Sequence, residues 1–364
     1  MKRVSIYSKG GRFCAASRYR FYAYFDVLFD EVTYRKMFAD SVYLKYMPIS
    51  KQPSYVKALL FVYLYFRVLF QLVSDALRVP DVLVISRRLL NHWFPLSYKF
   101  LLLLIKFRGA KLVYDFDDYI IGSEISQGGM NFITKHSEKV IIASSYLLSC
   151  VKEDHRNKVV ILPTTDREPF LLFNDNVQKK RIETFGKQVR VIWLATSSSL
   201  PFVYKIVPAF EQAGEILKNK GKELQLVIVC DAPLNADAHN FVIENIKWEH
   251  DVALLELMKA HIGIMPLEDN QSTRGKGGFK LIQYLSCAIP VIGSDVGINS
   301  EIVNGTNGKL VRELEISDWR EAIVGLGIDA AYWSNCASGA LNTWIKDYSF
   351  DYNLKQWKEI IETI

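Results

Sequence analysis

The sequence predicts an α/β chain of two doubly wound parallel-sheet domains, and three observations predict it. Short apolar runs alternate with longer amphipathic ones, the pattern of strands joined by crossover helices. The alternation breaks after Pro163 and restarts near Arg190. The chain has 364 residues, enough for two units at about 150 residues each. Apolar residues make up 50% and charged residues 23%, so both units can bury a core and a disordered chain is excluded.

In the first unit, residues 1–170, strands are predicted at Arg3–Tyr7, Val32–Arg35, Asp81–Ser86, Lys111–Tyr114, Lys139–Ala143 and Lys158–Leu162. Helical segments fill most of the intervals. Two of them, Val56–Val73 and Phe100–Ile105, are apolar enough to have two readings. They are core helices, or they form a surface on a membrane interface, with Lys57 and Arg67 interrupting the first and Lys99 and Lys106 bracketing the second. The polar passage "TTDREPFLLFNDNVQKKRIETFGKQ" reads as an inter-domain link.

The second unit, residues 171–345, has strands predicted at Arg190–Leu194, Leu224–Cys230, Ile262–Met265 and Pro290–Gly293. Pro201 suits the first turn of a helix after a Ser cluster able to cap it. Asp329–Ile364 reads as two helices, and the last segment, 346–364, is expected to cross back to the first unit. Two successive sheets of similar size predict a cleft where the carboxyl ends of parallel strands collect ligands.

The net charge of +6 suits anionic substrates or an anionic membrane surface and is too small to argue for nucleic acid as a partner. Five cysteines without paired spacing argue for a reducing compartment. "MKRVSIYS" runs straight into a strand without a signal-peptide pattern, so the expected location is cytoplasmic, with a peripheral seat on the inner membrane face as the further possibility.

The chemistry concentrates in "GKGGFKLIQYLSCAIPVIGSDVG", Gly275–Gly297. A helix starting near Gly277 or Gly278 leaves its first amides without intrahelical partners and its dipole positive, which favours an anion. Lys276 and Lys280 add full charge, glycines permit close approach, and Gln283 lies one turn beyond Lys280. A diphosphate matches amides and ammonium groups together, while the plainer reading is a solvated basic turn. "YDFDDYI" places Asp115, Asp117 and Asp118 at the end of an apolar strand. Its readings are acceptor recognition, a helix cap salt-bridged to Arg18 or Arg20, or a metal site. Gly10 and Gly11 follow the first strand but do not form G-x-G-x-x-G, so a nicotinamide reading is weak. His92, His136, His155, His239 and His250 lack ligand spacing.

"RGKGGFKLIQYLSCAIPVIGSDVGINSEIVNGTNGKLV" resembles the donor segment of GT-B glycosyltransferases of family 4, and "HIGIMPLEDN" resembles the strand and loop before it. "VRVIWLATSSSLPFVYKIVPAF" is similar to that family's first strand, loop and helix of the C-terminal domain. "SRYRF", "KLVYDFDDYI", "EKVIIASSYLLSCV" and "VVILPTTD" resemble segments of its bacterial polysaccharide and lipopolysaccharide branch. The resemblance implies a GT-B fold of two Rossmann-like domains facing a cleft. It also implies retaining, hexosyltransferase-type transfer from a nucleoside-diphosphate sugar to a glycan or lipid-linked acceptor in cell-surface polysaccharide or capsule synthesis.

No metal, and no cofactor beyond the sugar nucleotide, is expected. Donor contacts are expected from Gly10, Gly11, Thr196, Ser197, Lys276, Gly277, Gly278, Phe279 and Gln283, with Lys280 supporting the leaving group. Arg18, Arg20, Asp115 and Asp118 are expected to meet the acceptor, with Asp117 placed to bind its hydroxyls or take up its proton.

Where the family carries two glutamates eight residues apart, this chain has Gly275 and Gln283; a family glycine is Ala195 and a family aspartate is His261. An amide at 283 retains a hydrogen bond to the donor ribose. The missing carboxylates keep two other classes in view: a nucleotide-binding protein that has lost catalysis, and a GT-B-fold sugar-nucleotide epimerase.

Overall fold

A computed structural model describes residues 2–364. The chain forms two compact units, Met1–Thr164 with Asn353–Ile364, and Thr165–Tyr352. The final turns of the last helix, Phe350–Thr363, thus belong to the first unit.

The first unit is built on six parallel strands: β1 Val4–Ser8, β2 Val32–Lys36, β3 Val82–Ser86, β4 Lys111–Phe116, β5 Lys139–Ile142 and β6 Val159–Ile161. Their order is β2-β1-β3-β4-β5-β6, with Val4 opposite both Val32 and Val82. β1 and β3 are buried along their whole length, as continuous apolar runs in a two-sided parallel sheet require. Tyr7, Leu83, Ile85 and Tyr114 join the core with Leu64 and Val68 of the helix Ser54–Leu77 and Leu102 of the helix Leu96–Phe107. Ile6, Val84 and Val113, pointing the other way, are equally buried.

On the long helix, Asp75 accepts hydrogen bonds from Tyr7 Oη (2.7 Å) and Ser5 Oγ (3.2 Å), which fixes it to β1. At the carboxy terminus, Trp357 packs on Phe21 and Phe25 with ring centroids 6.0 and 5.1 Å apart. Asn353 Nδ2 donates to the Pro163 carbonyl at 2.7 Å.

The apolar segments read as core helices or a membrane surface are helical, with one face in the core and the other bare. Phe66, Phe70 and Leu77 of the first and Leu96, Phe100 and Phe107 of the second are exposed. Three of the four flanking cations turn inward. Arg67 donates to the Lys36 carbonyl (2.9 Å), Lys106 to the His136 carbonyl (2.7 Å), and Lys99 lies over the Phe132 ring.

The second unit holds β7 Gln188–Leu194, β8 Glu223–Cys230, β9 Val242–Lys247, β10 Ile262–Met265, β11 Val291–Ser294 and β12 Gly308–Val311, in the order β12-β11-β10-β7-β8-β9. Alternation along β7 divides its side chains between two cores. Val191 and Trp193 pack with Val203 and Phe210 of the helix Leu200–Asn219. Ile192 and Leu194 pack with Leu281 and Leu285 of the helix Phe279–Leu285. This is the doubly wound arrangement, and the order reads 3-2-1-4-5-6 from β9 inward.

β9 and β12 were not expected. β9 is a half-exposed edge strand with polar residues between its apolar ones, and β12 has only four residues. The passage expected as a link is instead folded into the second unit as helices Glu168–Leu172 and Asp175–Phe185. Arg181 anchors it, 1% exposed and donating to the carbonyls of Leu257 (2.7 Å), Met258 (3.0 Å) and Cys287 (2.7 Å).

Candidate functional site

In the second unit the strand order reverses between β10 and β7, and the segments leaving their carboxyl ends carry the residues singled out from the sequence. In open α/β sheets such an edge is where ligands bind. Leu194, the last residue of β7, donates its amide to Tyr284 Oη at 3.0 Å. The Tyr284 ring covers Gly263 of β10 so closely that any side chain there would collide with it. The helix Phe279–Leu285 is thereby fastened to both strands flanking the reversal.

Its start is equally determined. Gly278 caps the helix at φ +66°, and a Cβ there would lie 2.6 Å from Ile302 Cδ1 and 2.8 Å from Ile298 Cγ2, so glycine is required twice over. Gly297, at φ +57°, presses against the Arg274 carbonyl. Gly277 and Gly278 are buried, while Lys276, Phe279 and Lys280 are half-buried around them. The first helical turn carries no acidic residue. The result is a tightly packed bend that carries Lys276 and Lys280.

Gln283 is 5% exposed, and its Nε2 donates to Asp166 Oδ2 at 2.9 Å. The amide expected to reach toward a ribose is therefore already engaged by a carboxylate, which itself is 3% exposed and accepts the Glu168 amide through Oδ1 at 2.9 Å. Gln283 Oε1 is buried and has no protein partner. Asp166 was missed from the sequence, where it stood inside the presumed link. Its signal was its place three residues after Pro163, in the "LPTTD" run.

Ser197, on the loop after β7, donates its amide (2.6 Å) and hydroxyl (2.9 Å) to Asp231 at the end of β8. Burial works against the Asp231 charge, but these two donors hold its carboxyl below the ordinary value. Thr196 is exposed, its Oγ1 2.9 Å from Ser198 Oγ. His261, standing at the family's aspartate position, is a core residue. It is 1% exposed, and its Nδ1 accepts the Arg190 amide at 2.9 Å. Burial drives its pKa down to about 4.

In the first unit the reversal lies between β1 and β3. Arg20 and Asp115, expected to meet the acceptor, are 2% and 0% exposed and form a buried ion pair. Arg20 also donates to the Leu162 carbonyl (2.6 Å) and Thr164 Oγ1 (3.2 Å). The pair is an internal brace between the segment after β1, β4 and the chain beyond β6, where the sequence pointed both residues at an acceptor. Gly10 and Gly11, expected beside a diphosphate, are buried, and side chains there would strike Tyr43 and Asp40. Both glycines thus pack closely against the helix Asp40–Tyr46.

Asp117 and Asp118 both bind Arg87, which follows β3, at 2.6 and 2.5 Å. The three carboxylates of "DFDD" therefore diverge, one to Arg20 and two to Arg87, where a metal would need them to converge. Arg18 is half-buried, with its guanidinium over the Tyr19 ring and its Nε without a partner. Lys9, not singled out from the sequence, is half-buried nearby. Burial and then the positive charge of Arg88 lower its pKa.

Residues 194–329 match the family model described as "Glycosyl transferases group 1". No curated protein matches the chain significantly. Among solved structures, the chain is similar to Anabaena Alr3699/HepE in complex with UDP and glucose. The TM-score is 0.67 and the identity 13%, with 100% of each chain covered. A glycosyltransferase from Rickettsia africae aligns at TM-score 0.67 and 14% identity, over 100% of this chain and 98% of that one. Sucrose-phosphate synthase from Thermosynechococcus elongatus aligns at 0.64 and 11%, over 100% and 99%.

Proposed function

We propose that this chain, whose fold is that of the GT-B glycosyltransferases of family 4 type, moves a sugar from a nucleoside diphosphate to a glycan or lipid-linked acceptor in cell-surface polysaccharide synthesis. The observation that carries the reading is the bend Lys276–Lys280. It follows β10 at the strand reversal, lies within the matched residues, and brings two lysines together with two buried glycines.

Lys280, with Lys276 beside it, takes the donor diphosphate, whose charge grows as the glycosidic bond breaks. Gln283, held by Asp166, directs its unpartnered Oε1 to a donor hydroxyl, so that an amide–carboxylate pair serves where the family uses a glutamate. Thr196 and Ser197 line the donor side. In the first unit, Arg18 and Lys9 attract an anionic acceptor, and Asp117 and Asp118, oriented by Arg87, bind its hydroxyls. The departing phosphate takes the acceptor proton, and the sugar keeps its anomeric configuration. A uridine donor is the first to test, because HepE is described in complex with UDP and with UDP-glucose.

The test is thermal shift with a panel of nucleoside diphosphates and their sugars, followed by transfer assays with those that bind. Ligand at 100 times its Kd stabilises by about 2.7 kcal/mol. Stabilisation by a nucleoside diphosphate that Lys280→Ala abolishes, together with sugar transfer, is the expected outcome. Binding without transfer to any acceptor would favour the non-catalytic reading, and no nucleotide binding would end the proposal.

A further inference from the structure

We propose that the bare faces of the helices Ser54–Leu77 and Leu96–Phe107 dock the first unit onto the headgroup–acyl boundary of an anionic bilayer. On the long helix, large apolar side chains recur at steps of three and four from Tyr55 through Leu59, Val62, Phe66, Phe70 and Val73 to Leu77, each at least 38% exposed. At 3.6 residues per turn these fall on a single stripe. The stripe lies opposite the buried set Leu60, Leu64, Val68 and Leu72. The second helix repeats the device with Leu96, Phe100, Leu103 and Phe107, the last 89% exposed. The helices are neighbours, with Tyr65 stacked on Tyr98 and on Trp93.

A helix on the surface of a water-soluble domain turns a polar face outward, and these two do not. The stripe on the long helix, Tyr55 to Leu77, runs about 33 Å at 1.5 Å per residue. Large exposed apolar patches mark protein, ligand or membrane contact surfaces.

The charge around the face selects the occupant. Of the eight Lys or Arg residues from Ser54 to Arg108, Arg67, Lys99 and Lys106 turn inward and Arg87 and Arg88 are ion-paired, while the two carboxylates of the stretch are Asp75 and Asp81. Asp75 is buried and bonded to Tyr7, and Asp81 is held by Arg3. Lys57, Arg78 and Arg108, near the ends of the two helices, are exposed. Pairing with a second copy would set like charges against each other, whereas anionic headgroups complement them.

The long helix is apolar enough by length and composition to cross a bilayer, but crossing would strip its inner face from Leu83 and Ile85 of β3. Lying in the interface plane keeps the inner face in the core and immerses only the outer one.

The experiment is flotation of the purified chain with vesicles of phosphatidylcholine alone and with added phosphatidylglycerol, at low and high salt. The parent is expected to float with the anionic vesicles, several-fold more weakly at high salt. Phe66→Gln with Phe70→Gln should reduce partitioning at least tenfold while circular dichroism and melting stay unchanged, since both rings are exposed. Lys57→Glu with Arg78→Glu should abolish the preference for anionic vesicles. Failure to float with either vesicle at low salt would overturn the proposal, as would undiminished flotation of the Phe66/Phe70 variant. A dimer in sedimentation analysis that this variant dissociates would reassign the face to self-association. None of these readouts needs sugar transfer, so they stand or fall apart from the proposed activity.

Discussion

Removing one partner of the Arg20–Asp115 pair separates a structural role from the acceptor-binding role expected from the sequence. Both groups are out of water, so a single deletion leaves a buried charge uncompensated, at a cost of about 3–5 kcal/mol. The two deletions should differ. In Asp115→Ala, Arg20 keeps the Leu162 carbonyl and Thr164 Oγ1, which puts the loss near about 3 kcal/mol. In Arg20→Met, the Asp115 carboxylate loses its side-chain donor altogether, and about 4–5 kcal/mol is expected. For a unit of this size each kcal/mol moves the midpoint by about 2–4 °C, so the first-unit transition in scanning calorimetry should fall by roughly 6–20 °C. The double variant Arg20→Met/Asp115→Leu carries no buried charge and should recover part of the loss, with a coupling energy of about 1–3 kcal/mol. Transfer per folded molecule should be little changed below the transition. Parent-like melting with abolished transfer would refute the brace and return the pair to the acceptor site.

Lys280→Ala should cost roughly 2–4 kcal/mol of transition-state stabilisation, seen as lowered kcat with weaker nucleoside-diphosphate binding, and more than Lys276→Ala. Parent-like kinetics would move the diphosphate elsewhere. Asp166→Ala should mimic Gln283→Ala in weakening nucleotide affinity by calorimetry, since each removes one half of the hydrogen-bonded pair; an Asp166 variant with intact affinity would make the contact purely structural. Asp117→Asn should lower transfer with nucleotide affinity preserved, and EDTA should leave activity intact. Activity lost to EDTA and restored by Mg²⁺ would revive the metal reading. Because the folded pKa of His261 lies near 4, below the ordinary 6.5, the unfolded chain binds the extra proton between those values. Stability is therefore full above about pH 6.5 and falls toward pH 4 by about 3 kcal/mol, a slope that His261→Asn should flatten in pH-dependent melting.

What the sequence determined by itself is what depends on local pattern. Fully buried parallel strands such as "VSIYS" and "VLVIS" leave continuous apolar runs, and the glycine–lysine bend announces itself because Gly278 must take a positive φ. The edge strand Val242–Lys247 left no such run, since only part of each residue is buried.

Partner choice was decided by the tertiary structure. Nothing local says that Arg20 reaches Asp115 rather than a ligand, that Asp117 and Asp118 turn to Arg87, or that Asp166 lies under Gln283 across 117 positions of chain. Whether a helix apolar on every side is core or surface was likewise undecidable from periodicity. Leu64 and Phe66 look alike in sequence. Only packing the helix on β3 puts Leu64 at 5% exposure and leaves Phe66 at 49%, because a sheet can cover one side of a helix and not both.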